Sequence, residues 1–259
     1  MLDVTTFGLA FAVVLAGAFV FWLVSLVRND VSIVDSLWSL MFLLMLGVYQ
    51  YVSDTTGPRQ WLVLILVAVW ALRLSVYITV RNHGQPEDAR YQAIRRNNEP
   101  NFRFKSLYIV FALQAVLAAF IALPLLVAFT GATPLGWLDA LGVALWLTGM
   151  FFEVFGDAQL ARFRANGQNS GNVLDTGLWR YTRHPNYFGE FTLWWGYYCL
   201  AAAAGGWWTI LSPLLMSFLL LRVSGVALLE KDIGQRRPQY ADYIRRTNAF
   251  FPGRPLPQA

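Results

Sequence analysis

Residues 7–26 read FGLAFAVVLAGAFVFWLVSL, an apolar run of 20 residues without a charged side chain. Such a run has the length of an α-helix that crosses the hydrocarbon core of a bilayer. Similar runs recur along the 259-residue chain, which is 57% hydrophobic and only 14% charged. This composition excludes an ordinary soluble domain, so the sequence predicts an integral membrane protein.

The apolar runs predict an all-α polytopic fold in a single domain, residues 1–259, with ordered cytoplasmic loops and tail. The first run has neither a preceding basic segment nor a small-residue cleavage site, so we expect a retained helix rather than a signal peptide. The seven predicted transmembrane helices are 6–27, 32–52, 60–80, 107–129, 136–156, 187–204 and 208–228.

Lysine and arginine positions predict how the chain crosses the membrane. Loop 81–106 has six of them, loop 157–186 has four and the tail from Glu230 has six, whereas the opposite side has only Arg59. Because cytoplasmic loops carry the excess of positive charge, the amino terminus is expected outside and the carboxyl terminus in the cytoplasm. We expect a bacterial inner membrane protein that contacts lipids, and its oligomeric state stays open.

The scarcity of cysteine and histidine limits the possible chemistry. Cys199 is the single cysteine, which excludes a disulfide framework, and His83 and His184 are the two histidines. With so few nitrogen and sulfur ligands we expect no metal site. The net charge of +5 is explained by topology and anionic headgroups, so we expect no nucleic-acid partner.

Charged residues at membrane depth are costly, by about 3 kcal/mol each, so each requires a partner, a cavity or a function. Most of those in this sequence are predicted near the cytoplasmic end, which favours a polar pocket that opens to the cytosol. Structural ion pairing or snorkelling to the interface is the alternative for some of them. The charged residues concerned are Asp35, Arg73, Glu153, Asp157, Glu190, Arg222 and Glu230.

Residues 180–190 form the densest polar cluster, RYTRHPNYFGE, at the predicted entry to the sixth helix. Arginines at a helix amino terminus favour a phosphate, so a phosphorylated cofactor is the expected ligand. Glu153 and Asp157 share a helical face. Their role is either acid-base catalysis or the orientation of nearby arginines. The amphipathic tail either lies on the headgroups or closes over the cofactor.

Residues 175–190, DTGLWRYTRHPNYFGE, closely resemble the signature of the steroid 5-alpha-reductase family, in its bacterial branch. Asp30–Trp38, Glu87–Tyr91 and the tail from Glu230 to Pro252 resemble that branch as well, so the resemblance covers nearly the whole chain. The shorter pattern Arg-His-Pro-x-Tyr-x-Gly is less specific, because isoprenylcysteine carboxyl methyltransferase and related membrane enzymes are similar there.

The resemblance implies NADPH-dependent reduction of a carbon–carbon double bond conjugated to a ketone. The hydrophobic substrate is expected to enter from the bilayer and to be a steroid, a sterol or an isoprenoid-like lipid. By resemblance, the cofactor site comprises Asp157, Arg164, Tyr181, His184, Asn186, Tyr187 and Glu190, with Arg183, Arg236, Tyr240 and Arg246 as additions.

Substrate activation is where the sequence departs from the animal steroid reductases, which are expected to use a Gln-Glu pair in helix two and a tyrosine in helix three. Here helix two offers Ile33-Val34-Asp35, and Asp35 takes the role of the glutamate, as hydrogen-bond donor to the ketone oxygen, if burial keeps it protonated. The candidate catalytic residues are Asp35, Glu153 and Tyr77.

Two other function classes stay open at this point. An S-adenosylmethionine-dependent membrane methyltransferase shares the Arg-His-Pro pattern and the amphipathic tail. A transporter or a lipid-binding membrane protein is the non-catalytic alternative. A transporter is expected to place its charges near the membrane midplane, whereas this sequence places most of them at one end.

Overall fold

The computed structural model of the protein describes residues 3–52, 57–223, 225–226, 230 and 239–256. Within those ranges every regular element is helical, so the all-α prediction is confirmed there. The chain divides into two compact units, Met1–Leu135 with Ala201–Gly206 and Gly136–Leu200 with Trp207–Ala259. The single domain stays a prediction.

The first unit is built from long apolar helices joined by shorter polar ones. A 3-10 turn, Val31–Ile33, leads into the second helix, and a π-helical stretch, Leu107–Ala112, precedes the sixth. Asp3 caps the first helix by accepting hydrogen bonds from the Thr5 and Thr6 amides. The α-helices described in this unit are α1 Val4–Arg28, α2 Val34–Val52, α3 Pro58–Asn82, α4 Ala89–Asn98, α5 Phe102–Ser106, α6 Leu113–Ile121 and α7 Leu123–Phe129.

Serine side chains fasten α2 to α3. The Ser39 hydroxyl donates to the Ala71 carbonyl at 2.8 Å, and the Ser75 hydroxyl donates to the Ser36 carbonyl at 2.8 Å. Small polar side chains allow close approach of helices in lipid and satisfy one another there. These bonds fix the first turns of α2, where Asp35 lies.

The second unit contains a long helix, α8, and the helix that begins within the 175–190 motif, α9. Short 3-10 turns occupy Gly167–Asn169, Gly177–Arg180 and Trp207–Ile210, and a π-helical stretch occupies Leu219–Val223. The α-helices described here are α8 Trp137–Ala165, α9 Pro185–Ala203, whose last three residues belong to the first unit, α10 Leu211–Phe218 and α11 Gln239–Arg246.

Glycines let α8 and α9 pack backbone against backbone. A Cβ added to Gly149 would lie 2.6 Å from the Gly189 carbonyl oxygen, and one added to Gly142 would lie 2.8 Å from that of Gly196. No side chain larger than hydrogen fits at such distances. The close crossing fixes where along the helix axes the polar residues that follow these glycines lie.

Within the part of the chain that the structure describes, five helical segments are long and apolar enough to cross a membrane: Val4–Arg28, Val31–Val52, Pro58–Asn82, Phe102–Ile121 and Trp137–Ala165. The chain is accordingly an integral membrane protein. The predicted number of seven spans is not confirmed, and the last apolar helical segment described, Trp207–Val223, is shorter than the others.

Three predicted boundaries were wrong. The fifth predicted span continues from 156 to Ala165, because Ala, Gln, Leu and Arg favour helix although they are not all apolar. Loop 81–106 contains α4, whose sequence is too polar to be recognised from hydropathy. The predicted helix 107–129 begins at Phe102 and is interrupted at Ala122, two residues before Pro124.

We predict that Gly149→Ala destabilises the protein by about 1–3 kcal/mol, because the added methyl group overpacks the crossing. Gly47 is the matched control, since a Cβ there meets nothing within 4 Å and Gly47→Ala removes only helix flexibility. The control should be neutral or stabilising by up to about 1 kcal/mol. Thermal unfolding in detergent measures both, and equal midpoints for the two variants would contradict the crossing.

Candidate functional site

A carboxylate at the start of α2 is the centre of the polar cluster in the first unit. Asp35 Oδ1 accepts a hydrogen bond from the Tyr91 hydroxyl at 2.6 Å, and Oδ2 accepts one from Arg90 Nη2 at 2.7 Å. The Asp35 side chain is 15% exposed. Both of its oxygens therefore serve as acceptors for neighbouring residues of α4.

Asp88 and Glu87 attach α4 to this position. Asp88 caps the helix by accepting from the Arg90 amide at 2.9 Å. Glu87 accepts from the Val31 amide at 2.9 Å and from both Nη2 and Nε of Arg95, at 2.7 and 3.0 Å. In the Glu87–Tyr91 pattern, Glu87 and Asp88 therefore hold α4 in place, and Arg90 and Tyr91 donate hydrogen bonds to Asp35.

Gln114 of α6 completes the cluster, since its side-chain amide donates to the Tyr91 hydroxyl oxygen at 3.0 Å. Burial, together with the nearby Asp35 charge, raises the pKa of Tyr91 well above its ordinary value. Burial opposes the charge of Arg90, but the Asp35 and Asp88 carboxylates outweigh it and raise the arginine's pKa. The phenol therefore keeps its proton and the guanidinium its charge.

In the second unit, polar side chains gather where α8 and α9 cross. Asn186 donates from Nδ2 to Asp157 Oδ1 at 3.2 Å. One turn along α9, Glu190 is buried and accepts from Trp194 Nε1 at 2.9 Å. Glu153 is also buried, and its Cγ lies 2.8 Å from where a Gly189 Cβ would be.

Arg183 and His184 converge on one carboxylate, that of Glu230. Arg183 binds it through two nitrogens, Nε to Oε1 at 2.7 Å and Nη2 to Oε2 at 2.8 Å. His184 Nε2 lies 2.9 Å from Oε1 and donates to it when protonated there. The remaining Arg183 nitrogen donates to the carbonyls of Ile244, at 3.2 Å, and Thr247.

The tail pairs with the 175–190 motif mainly through main-chain atoms. The Arg183 amide donates to the Asn248 carbonyl at 2.9 Å, and the Gly253 amide donates to the Tyr181 carbonyl at 3.0 Å. The Thr182 hydroxyl donates to the Phe250 carbonyl at 2.7 Å. Residues 247–253 are therefore joined to the 175–190 motif within the second unit.

The family described as protein of unknown function DUF1295 matches residues 21–247. The chain belongs to that family. The DUF1295 family is steroid 5-alpha-reductase-like, so the predicted resemblance is confirmed.

Curated relatives of this DUF1295 protein are known from mammals. The 3-oxo-5-alpha-steroid 4-dehydrogenases 1 of Homo sapiens and Bos taurus are each 39% identical to it, over 57 and 56 residues, and that of Mus musculus is 38% identical over 56 residues. Each match covers 22% of this chain and 22% of the relative, so the similarity extends over about a fifth of either protein. No solved structure matches the chain.

The predicted site residues of the DUF1295 protein are distributed over both units. Asp35 and Tyr77 lie in the first, where the guanidinium of Arg81 lies 5.8 Å from the centre of the half-buried Tyr77 ring. Tyr91 was missed, because its partner Asp35 is 56 residues away in the sequence and only the fold brings them together. One indication of Tyr91 was present in the sequence, namely the Glu87–Tyr91 pattern, which resembles the family.

The other predicted cofactor residues differ in exposure. Arg164 and Tyr181 are exposed, and the Tyr187 ring stacks on His184 at 5.8 Å. Tyr240 is buried against Tyr243, whereas Arg246 binds Asp242 at 2.6 Å and Asp175 at 3.3 Å. Arg236 lies outside the described residues.

Electrostatics favour the ionised form of Glu230. Burial opposes its charge, but the hydrogen bonds from His184 and Arg183 outweigh burial and lower the Glu230 pKa to about 2. Burial, reinforced by the Glu230 charge, raises the pKa of Tyr240 to about 12.

Within the described ranges no three His, Cys, Asp or Glu side chains come together as a metal site would need.

We predict that Glu230→Gln destabilises the second unit by about 2 kcal/mol at neutral pH, because it removes charge-assisted hydrogen bonds to Arg183 and His184. The carboxylate's pKa is lower in the folded protein, so its stabilisation is complete above its ordinary value of 4.5 and is lost as the pH falls towards about 2. Unfolding midpoints of the two proteins should therefore converge across that range.

The control for Glu230 is Arg245→Gln, which removes an ion pair between the exposed side chains of Arg245 and Asp242 and should leave the unfolding midpoint nearly unchanged. A gap between wild type and Glu230→Gln that stays constant from neutral pH to about pH 2 would show that the charge of Glu230 is not what stabilises the tail.

Proposed function

We propose that this chain is an NADPH-dependent membrane reductase that saturates a carbon–carbon double bond conjugated to a ketone. The substrate is hydrophobic and lipid-like, a 3-oxo-4-ene steroid or similar. Membership of a steroid 5-alpha-reductase-like family supports the reaction class. The observation that carries the proposal is the 2.6 Å hydrogen bond between the Tyr91 hydroxyl and Asp35 at the start of a membrane helix.

Reduction of such a substrate requires a hydrogen-bond donor at the ketone oxygen. Hydride addition to the β carbon moves the double-bond electron pair onto that oxygen, and a proton is then added to the α carbon. A fixed donor stabilises the developing oxyanion. Both Asp35 oxygens accept hydrogen bonds, so we assign the donor role to Tyr91, whose single hydroxyl hydrogen passes from Asp35 to the ketone oxygen when the substrate binds.

The second unit supplies residues that fit NADPH, which provides the hydride when it is bound. Asp157 and Asn186 form a carboxylate–carboxamide pair suited to an amide, and Arg164 is an exposed cation suited to a phosphate. Glu153 is proposed as a proton-handling group. The residues proposed to hold the cofactor are Asp157, Arg164, Tyr181, His184, Asn186, Tyr187 and Glu190.

Arg183, Tyr240 and Arg246 have a different role in this proposal. The Arg183 guanidinium is buried among Glu230 and the carbonyls of the tail, and Arg246 binds Asp175. We therefore assign these residues to the attachment of the tail, which supports the cofactor site indirectly. We accordingly propose that the tail closes over the cofactor rather than lying on the headgroups.

The proposed topology has seven membrane spans. To the five long helices it adds α9 and the segment Trp207–Val223, each of which has aromatic side chains at its amino-terminal end. The distribution of lysine and arginine supports an external amino terminus and a cytoplasmic carboxyl terminus in a bacterial inner membrane. The lipid-like substrate then enters from the bilayer.

We predict that NADPH binds the detergent-solubilised protein and that S-adenosylmethionine does not. Intrinsic tryptophan fluorescence and thermal stability follow each titration, since a ligand that binds the folded state raises its unfolding midpoint. If the protein bound S-adenosylmethionine and did not bind NADPH, it would be assigned to the methyltransferase class instead.

A charge variant refines the cofactor titration. Arg164→Ala should weaken NADPH binding about 10-fold or more while changing NADH little, because an arginine recognises the additional phosphate. Arg245, which is 73% exposed in its side chain, is the control position, and Arg245→Ala should leave the ratio of the two affinities unchanged. Equal weakening of NADPH and NADH by Arg164→Ala would assign Arg164 to the structure instead.

We predict that Tyr91→Phe lowers kcat for an enone substrate by about 10²–10³ without weakening NADPH binding, because the oxyanion loses its donor. NADPH oxidation with a 3-oxo-4-ene steroid measures the rate. Tyr108→Phe is the control, since Tyr108 is 60% exposed on the first unit. A larger loss in Tyr77→Phe than in Tyr91→Phe would move the donor role to Tyr77.

A further inference from the structure

The phenol oxygen of Tyr91 accepts one hydrogen bond while its hydrogen makes another. Gln114 Nε2 lies 3.0 Å from this oxygen, and the phenol hydrogen goes to Asp35 Oδ1 at 2.6 Å. A tyrosine hydroxyl has a single hydrogen, so the Gln114 atom that meets the phenol oxygen must be the amide nitrogen and not the amide oxygen. The group that we assign as donor to the ketone is therefore itself bound by a donor from α6.

We infer that Gln114 is a positioning residue, whose amide makes the Tyr91 hydroxyl a stronger hydrogen-bond donor to the ketone oxygen. The inference rests on the proposed function and deepens it. Gln114 acts through Tyr91 and does not need to touch the substrate.

The physical reason is that consecutive hydrogen bonds polarise one another. An N–H group directed at the phenol oxygen draws electron density towards itself, so the hydroxyl hydrogen becomes more positive and binds its acceptor more strongly. The effect increases as the ketone oxygen becomes an oxyanion, because part of that charge is then felt at the phenol oxygen. Asp35 has no such effect, since it accepts the phenol hydrogen and must release it when the ketone binds.

The position of Gln114 on a membrane helix supports a specific role. It lies in the helical segment Phe102–Ile121, which is long and apolar enough to cross a membrane. Its neighbours Leu113 and Val116 are each 51% exposed, as is expected of side chains that face lipid. An amide among such side chains costs free energy unless it is hydrogen-bonded. The bond to Tyr91 supplies a partner of that kind.

A widened helical turn precedes Gln114. Leu107–Ala112 is π-helical, and the Leu113 amide donates to the Tyr108 carbonyl five residues earlier. Each residue added to a turn in this way rotates the rest of the helix by about 100° relative to an uninterrupted α-helix. Such turns occur frequently at functional sites. The turn therefore sets the face of α6 on which Gln114 meets Tyr91.

Attachment of α4 does not by itself explain the contact. Glu87 and Asp88 already hold this helix in place. Gln92, in the same helix, shows a structural use of an amide, because its Nε2 donates to the Glu87 carbonyl at 2.6 Å rather than to the phenol. Gln92→Met is therefore the matched control for Gln114→Met, since each replaces a glutamine by a side chain of similar length that has no N–H group.

The kinetic test compares Gln114→Met, Gln92→Met and Gln114→Met/Tyr91→Phe in the oxidation of NADPH with a 3-oxo-4-ene steroid. A strengthening of about 10–30%, applied to a donor worth about 10²–10³ in kcat, corresponds to about 2–8-fold. We therefore expect Gln114→Met to lower kcat about 2–8-fold, with KM and the NADPH affinity nearly unchanged. Gln92→Met should keep the wild-type kcat, and Gln114→Met should have no further effect in the Tyr91→Phe background.

The stretching frequency of the bound ketone measures the donor directly, because a stronger hydrogen bond weakens the C=O bond. Infrared difference spectra with a steroid that is isotopically labelled at the ketone should show the lowest frequency in wild type and Gln92→Met. Gln114→Met should raise the frequency, and Tyr91→Phe should raise it further.

Two outcomes would overturn the role of Gln114 and leave Tyr91 as the donor. One is a carbonyl frequency in Gln114→Met equal to that of wild type, and the other is an equal loss of kcat in Gln92→Met. If wild type neither reduces the enone nor lowers the carbonyl frequency of the steroid below its value in solution, the proposed function fails, and the role of Gln114 fails with it.

Discussion

A carboxylate at the edge of a hydrocarbon layer is costly unless a cation and further donors accompany it. The DUF1295 protein meets this constraint in both units with an arginine that binds a carboxylate. Arg90 binds Asp35 in the first unit, and Arg183 binds Glu230 in the second. Each pair joins residues that lie far apart in the sequence, so one electrostatic requirement shapes both candidate sites.

The membrane helices could be predicted because hydropathy reports lipid exposure directly. Polar helices carry no such signal, which is why α4 and the end of α8 were assigned to loops. The consequence for α8 is physical: Asp157 and Arg164 lie on a continuous helix, so a helical frame sets their spacing. A loop would have left that spacing undefined.

The candidate site was predictable where partners are close in sequence or follow from helix geometry. Asn186 and Asp157 belong to the residues predicted for the cofactor, and the fold brings them together. The partners of Arg183 could not be predicted, because an arginine suits a phosphate, a carboxylate or a carbonyl equally well. Only the folded tail shows that its nitrogens bind Glu230 and two main-chain carbonyls.

The pairing of residues 247–253 with 181–183 has a consequence for how the tail tolerates change. Its hydrogen bonds use amides and carbonyls, such as Arg183 to Asn248 and Gly253 to Tyr181, and every residue except proline offers both groups. Exposed side chains in this stretch can therefore be replaced while the docking persists, whereas Phe250 is buried and packs on Phe188 and Phe191. An inserted or deleted residue shifts the register of all these bonds at once, so length constrains this stretch more than the identity of its exposed residues does.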